Sequence, residues 1–119
     1  MPGQYYSLGD ETERVEFKKS TGEIKEAVIS ISAILNKHGG GDLYFGVKNN
    51  GDVIGQEITD KTTREVSQAI GSHLRPVIYP EITKEIYDGR TVIHVRFEGH
   101  TPPYTAYNIP RIRVADEDL

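Results

Sequence analysis

Two kinds of hydrophobic spacing alternate along this chain. Apolar residues recur every three or four positions in residues 24–35 and 66–74, which predicts two amphipathic helices. The sequences Ser-Thr-Gly-Glu at 20–23 and Thr-Thr-Arg-Glu at 62–65 match capping boxes and mark the predicted helix starts. The first helix is expected to end at the glycines that follow His38, and the second before Pro76.

Alternation of apolar and polar residues predicts the strands between and after these helices. Segments with this pattern lie at residues 15–18, 42–48, 53–54, 77–87, 91–97 and 107–114. Asn50 and Gly51, between the second and third segments, are typical of a tight hairpin turn. The resulting order, β-α-β-β-α-β-β-β, predicts an α+β fold with a mostly antiparallel sheet and two amphipathic helices packed on one face.

The last two predicted strands carry basic residues between their apolar ones. In the strand at 91–97 the apolar residues fall on one face, so His94 and Arg96 are expected to point outward. In the final strand the same reasoning places Ile112 and Val114 inward and leaves Arg111 and Arg113 outward. Because residues two apart on a strand share a face, these two guanidinium groups are expected to project side by side.

Composition narrows the class of protein. The 119 residues correspond to one domain, 1–119, and the absence of cysteine excludes disulfides, Cys-ligated metal centres and thiol nucleophiles. No apolar run is long enough to span a membrane and the first four residues do not resemble a signal peptide, so a soluble cytoplasmic protein is expected. The chain ends on an acidic stretch directly after a predicted strand, which suggests the N-terminal fragment of a longer protein.

The formal net charge of −4 is unevenly distributed. Three of the acidic residues lie at 116–118, so residues 1–115 carry 14 basic and 15 acidic groups, a net charge of −1. One group of basic residues flanks the first strand and helix, and another lies on the last two strands, where they could contact phosphate groups. Alternatively, these basic residues form an ordinary solvated face of the sheet. The candidate phosphate-binding residues are Lys18, Lys19, Lys37, His38, Arg96, Arg111 and Arg113.

Two acidic residues, Glu11 and Glu16, bracket the start of the first predicted strand. A pair of carboxylates held close together could bind a divalent ion such as Mg²⁺ or Mn²⁺ and so activate water. Residues five apart on a straight strand face opposite ways, so the two could converge only if the chain bends between them. The alternative is a solvated acidic entrance to the strand.

The glycine run at 39–41 also has two readings. Successive glycine N–H groups can form an anion-binding nest, whereas the simpler role is to end the helix in a tight turn. A nucleotide-binding phosphate loop is not supported, because that motif needs Gly-Lys-Ser/Thr before a helix and these glycines precede a strand.

Several short motifs together resemble one known family. They are Val-Glu-Phe-Lys at 15–18, Asn-Lys-His-Gly-Gly-Gly at 36–41, Leu-Tyr-Phe-Gly-Val at 43–47, Asn-Gly-Asp-Val-Ile-Gly at 50–55, His-Leu-Arg-Pro at 73–76 and Arg-Ile-Arg-Val at 111–114. In this order they resemble the Schlafen AlbA-type domain over about residues 8–115. The resemblance implies a fold related to the Alba chromatin proteins and a DNA- or RNA-binding domain of a transcriptional regulator. A dimerisation or interdomain scaffold, including a homodimer, is an alternative.

The resemblance also bears on enzymatic activity. Some Schlafen proteins are metal-dependent endoribonucleases, and their two glutamates around the first strand would fall on Glu11 and Glu16. Their third carboxylate would fall on Asn49, whose neutral amide is a poorer ligand for a hard cation. We therefore expect no required cofactor and lean away from an enzyme, with Mg²⁺- or Mn²⁺-dependent RNA cleavage as the alternative.

Overall fold

The chain folds into two helices and a set of mostly short strands. The computed structural model describes residues 6–119, so the first five residues of the predicted domain lie outside the described part. A 3₁₀ turn (Thr21–Glu23) leads into α1. The elements are β1 (Val15–Lys18), α1 (Ile24–His38), β2 (Gly40–Phe45), α2 (Asp60–His73), β3 (Leu74–Arg75), β4 (Glu81–Tyr87), β5 (Arg90–Glu98), β6 (Thr105–Ala106), β7 (Ile109–Pro110), β8 (Arg113–Val114) and β9 (Glu117–Asp118).

The main sheet has the strand order β1-β2-β5-β4. β1 and β2 are parallel because α1 crosses over between them, whereas the β2–β5 and β5–β4 pairs are antiparallel. β3, β6 and β7 form a small antiparallel sheet, and β8 pairs with β9. The predicted α+β class with a mostly antiparallel sheet is confirmed. No helix in residues 6–119 is long and apolar enough to cross a membrane.

Both helix starts differ in detail from the predicted capping boxes. Ser20 Oγ accepts from the Gly22 N–H at 3.1 Å, while the Glu23 carboxylate accepts from the Lys19 N–H at 2.9 Å. α2 begins two residues before the predicted start, because Thr59 is its N-cap and exchanges hydrogen bonds with Thr62. The interior of both helices follows the predicted apolar spacing.

The main core lies between α1 and the inner face of the main sheet. Ile31, Ile34 and Leu35 of α1 are at most 2% exposed and pack in the same cluster as alternate residues of β2 and β5. A smaller cluster on the opposite sheet face contains Phe17 and Val53.

The predicted return strand at 53–54 is wrong, because Val53 forms only an isolated bridge.

The predicted final strand at 107–114 is also wrong. A turn with positive φ at Tyr107 and Asn108 breaks the segment, and two short strands, β7 and β8, replace it. The predicted alternation is inverted as well: Ile112 and Val114 are 48% and 44% exposed, whereas the Arg113 side chain is fully buried. The terminal acidic stretch is part of the fold, since β9 pairs with β8.

Candidate functional site

A cleft of about 620 Å³ opens at one end of the main sheet. It lies where β2 begins and β5 ends, so that Arg96 of β5 pairs in register with Asp42 on one side and Glu81 on the other. We call it the arginine cleft. Its polar and aromatic lining consists of two arginines, two histidines, three carboxylates and two aromatic rings: Arg14, Arg96, His38, His100, Asp42, Glu81, Glu98, Tyr79 and Phe97.

The glycines at the edge of the arginine cleft have a packing role. A Cβ on Gly41 would lie 2.4 Å from the Arg14 carbonyl oxygen and 3.0 Å from Ile34 Cγ2. A Cβ on Gly40 would lie 2.9 Å from the Phe97 carbonyl oxygen. Side chains at these positions would therefore push neighbouring backbone away. Gly39 ends α1 with φ 76°, as predicted, and the close approach lets the Asp42 N–H donate to the Arg14 carbonyl at 2.9 Å.

Most ionisable groups at the cleft already have partners. Glu13 contacts His38 Nε2 at 2.9 Å and Lys37 Nζ at 2.8 Å, and His100 lies 3.0 Å from a Glu98 oxygen. The contacts with Lys37 and, to a smaller extent, His38 lower the pKa of Glu13. Glu13 therefore occupies His38 and Lys37, whereas the His100–Glu98 pair is largely exposed.

The acid beside Arg96 is held by a histidine. Asp42 Oδ1 lies 2.7 Å from His94 Nε2, while His94 Nδ1 lies 2.8 Å from a Glu85 oxygen. The imidazole also stacks on Tyr44, with ring centroids 4.2 Å apart. His94 therefore joins three strands on the outer sheet face, and it occupies the Asp42 oxygen that an arginine could otherwise have bound.

Two guanidinium groups at the cleft remain without a carboxylate. Among residues 6–119, neither Arg14 nor Arg96 takes part in an ion pair within 4.0 Å. Both side chains belong to exposed residues and line the same cavity. Such groups keep their donors available for an anion with several oxygens, such as a phosphate.

The structure distributes the predicted basic residues over separate places. His38 and Arg96 line the arginine cleft, and Lys37 lies beside it through Glu13. Lys18 and Arg111 line a different cavity near the end of the chain, and Lys19 is exposed on the surface.

The arginine cleft also includes three residues that the sequence analysis did not select: Arg14, Tyr79 and His100. Arg14 lies just before β1 and His100 lies in a loop, so no periodic pattern marks them. Tyr79 falls inside the predicted strand at 77–87, but this strand begins only at Glu81, so its predicted start is wrong and residues 77–80 form a loop.

Arg113 does not face solvent, and its predicted outward orientation is wrong. Its Nη1 donates to Glu16 Oε2 and Asp118 Oδ1, each at 2.7 Å, and its Nη2 donates to the Thr12 carbonyl at 3.1 Å. Asp118 also accepts from Ser30 Oγ at 2.6 Å. Two carboxylates and a carbonyl compensate the desolvation of the guanidinium, so the chain buries a charge that periodicity placed outside.

Glu11 and Glu16 converge as a close carboxylate pair. The chain bends before β1, so that Glu11 Oε2 accepts from the Phe17 N–H at 2.9 Å and its carboxyl contacts that of Glu16. Burial, with the Glu16 contact, raises the pKa of Glu11 to about 8. Although burial opposes it, contacts with Glu11, Lys18 and Arg113 lower the pKa of Glu16. Near neutral pH we therefore expect Glu11 to be protonated beside an ionised Glu16.

This pair does not fit the divalent-metal site that the resemblance implied. In the described part of the chain, no group of three histidine or acidic side chains is arranged to hold a metal ion. An oxygen of Glu16 is bound by the Arg113 guanidinium, while Asn49 is exposed in a turn. An internal cation already neutralises the acid that a metal would need.

Substituting Glu11 by glutamine should remove a pH dependence of stability. Unfolded Glu11 has its ordinary pKa of 4.5 and the folded value is about 8, so between these values the folded state binds more protons. The free energy of unfolding should therefore fall as pH rises from 5.5 to 8.5. Urea denaturation should show this fall in the wild type and a flatter profile in Glu11→Gln, whose amide reproduces both contacts of the protonated acid.

The lowered pKa of Glu16 affects the free energy of unfolding in a different pH range. It contributes stability above the ordinary value of 4.5, which is lost as pH falls through the lower folded pKa. Measurements above pH 5.5 thus separate the effect of Glu11 from that of Glu16, and the comparison with Glu11→Gln removes the contribution of the histidines. Equal pH profiles for the wild type and Glu11→Gln would contradict the raised pKa of Glu11.

Comparisons with known proteins agree with this fold. The family model described as Schlafen, AlbA_2 matches residues 11–118. The DIP2311 protein from Corynebacterium diphtheriae is similar with a TM-score of 0.72 and 18% identity, over 90% of this chain and 22% of that one. The N-terminal domain of a protein from Nitrosomonas europaea described as related to the DNA helicase RecG gives a TM-score of 0.61 and 26% identity, over 77% and 67% of the two chains. No curated protein gives a significant match.

Proposed function

Since the chain belongs to the Schlafen AlbA_2 family, we propose that it is a nucleic-acid-binding domain whose phosphate contacts are centred on the arginine cleft. The observation that carries the proposal is the pair of guanidinium groups, Arg14 and Arg96, that line one cavity and form no ion pair within 4.0 Å with any residue from 6 to 119. The similarity to the RecG-related domain supports a role connected with nucleic acid.

Local charge can outweigh the negative net charge of the chain. Phosphate contacts depend on the potential at the contact surface, and each basic group that neutralises a phosphate releases condensed counterions. Arginine can donate two parallel hydrogen bonds to phosphate oxygens, which positions the backbone without reading the base sequence. We therefore expect binding that is strongly salt-dependent and only weakly sequence-dependent.

Replacing both cleft arginines should weaken binding and flatten its salt dependence. Fluorescence anisotropy of labelled DNA and RNA oligonucleotides, measured from 50 to 200 mM salt, gives both quantities. For Arg14→Ala/Arg96→Ala we expect about tenfold or greater weakening at low salt. The slope of log K against log[salt] should fall in magnitude by about 2, or roughly one unit per phosphate contact.

A matched control uses two exposed basic residues on α2. Lys61→Ala/Arg64→Ala removes the same formal charge far from the cleft in sequence, and should leave the salt slope nearly unchanged. Equal losses in the two double variants would mean that net charge, not the cleft, governs binding. Absence of any binding at low salt would contradict the proposed function itself.

We also propose that the domain acts within a cytoplasmic transcriptional regulator, by attaching a longer protein to nucleic acid. The chain spans 22% of the Corynebacterium diphtheriae protein, so domains of this kind occur in longer chains. Exposed apolar residues at Ile109, Ile112 and Leu119 support contact with another domain or a second copy. Light scattering of the purified chain distinguishes a homodimer from a monomer.

A further inference from the structure

Tyr79 presents an aromatic ring at the rim of the arginine cleft. It is 94% exposed, well above the other large apolar or aromatic residues that reach the surface in residues 6–119. The described structure gives its ring no stacking partner and its hydroxyl no hydrogen bond. A ring in this position does not stabilise the fold by burial, because almost none of its surface is removed from water.

The segment that carries Tyr79 is nevertheless anchored. The preceding residue, Ile78, is 8% exposed and belongs to the main core. Its Cγ2 lies close to Gly99, where an added Cβ would come within 3.2 Å of it. Strand β4 begins two residues after Tyr79 and pairs along its whole length with β5. The backbone on both sides therefore holds the exposed ring next to the cleft.

The ring and the two guanidinium groups form a complementary set. Arg14 and Arg96 offer donors to an anion, and Tyr79 offers a flat apolar surface beside the same cavity. A nucleotide contains both matching parts, a phosphate and a planar base. A volume of about 620 Å³ lies within the range of pockets that enclose one molecule of this size.

We propose that the arginine cleft takes an unpaired nucleotide of a single-stranded DNA or RNA segment, with its base stacked on Tyr79 and its phosphate held by Arg14 and Arg96. In a duplex both faces of a base are covered by its neighbours, so a fixed external ring has no internal base to stack on. Base–aromatic stacking is tolerant of sequence, because every base has a flat face. This inference rests on the proposed nucleic-acid function and adds the strand state of the substrate.

The test compares single-stranded and duplex binding in variants at Tyr79. Labelled dT₁₂, U₁₂, an abasic DNA 12-mer and a blunt DNA duplex are titrated with the full chain at one low salt concentration. We expect the single strands to bind at least tenfold more tightly than the duplex. Tyr79→Ala should weaken single-strand binding about 5- to 100-fold, while Tyr79→Phe retains it, since phenylalanine keeps the ring.

Two controls separate stacking from other roles of Tyr79. Val77→Ala changes an exposed apolar residue in the same loop and should leave affinity unchanged. The abasic strand keeps the phosphates but has no bases, so Tyr79→Ala should not weaken its binding. Thermal melting of Tyr79→Ala should match the wild type, because the ring is almost fully exposed.

The outcomes distinguish this inference from the function on which it rests. If the duplex binds as tightly as the single strands and Tyr79→Ala changes neither, the stacking inference is wrong while nucleic-acid binding stands. A Tyr79→Ala loss that is equal for dT₁₂ and the abasic strand also overturns it. If none of the four probes binds, the proposed function fails, and Tyr79 then belongs to a surface for some other partner. The DNA and RNA single strands show which backbone is preferred.

Discussion

Replacing Arg113 by alanine should destabilise the domain by about 3–5 kcal/mol, because it removes the guanidinium bound to the buried Glu16 and leaves only Lys18, 3.9 Å away, to compensate that carboxylate. Glu16 is 5% exposed and Arg113 is fully buried, so water cannot readily replace the lost guanidinium. The same change frees Asp118 and the Thr12 carbonyl, which tie β8 and β9 to the start of β1. Urea denaturation measures the loss as a lower midpoint.

Two further variants test whether the buried charge is responsible. Arg64→Ala removes an exposed arginine and should change the free energy of unfolding by no more than about 0.5 kcal/mol. Arg113→Met combined with Glu16→Gln removes the two most buried charges and leaves Asp118, which is partly exposed, so it should recover much of the lost stability. A loss below about 1 kcal/mol in Arg113→Ala would show that the ion pair is not important for folding.

The second large effect is expected at Asn36, which joins α1 to the chain after β5. Its side-chain oxygen accepts from the Tyr104 N–H at 2.5 Å, and its amide donates to the Tyr104 and Arg111 carbonyls at 2.9 and 2.6 Å. Asn36→Ala would leave three backbone groups without these partners. We expect a loss of about 2–4 kcal/mol, since an unsatisfied buried polar group costs about 1–3 kcal/mol and water will reach part of this site.

The same substitution at an exposed asparagine provides the control for Asn36. Asn49→Ala changes a residue in the surface turn after β2 and should alter the free energy of unfolding by no more than about 0.5 kcal/mol. If Asn36→Ala unfolds at the same urea concentration as Asn49→Ala, the three hydrogen bonds do not hold the segment. Amide exchange at Tyr104 gives a local measure of the same contacts.

Prediction from sequence worked best where one element buries one face along its whole length. The inner face of β5 was assigned correctly, because Ile93, Val95 and Phe97 all meet the same apolar layer. It worked least well after Tyr107, where positive φ values break the chain into two-residue strands. The alternation of inward and outward side chains does not continue across such breaks. The predicted outward orientation of Arg111 and Arg113 depended on that alternation.

The sequence by itself determined the α+β class, the two amphipathic helices, the family and a set of basic candidates that included His38 and Arg96. These follow from local periodicity and motif order, which depend on residues close together in the chain. Tertiary structure alone decided that Glu11 bends back onto Glu16, that Arg113 is a buried internal cation, and that Arg14 and Tyr79 meet Arg96 at one cleft. Those outcomes depend on contacts between distant segments and on which charges find partners, and no local pattern encodes either.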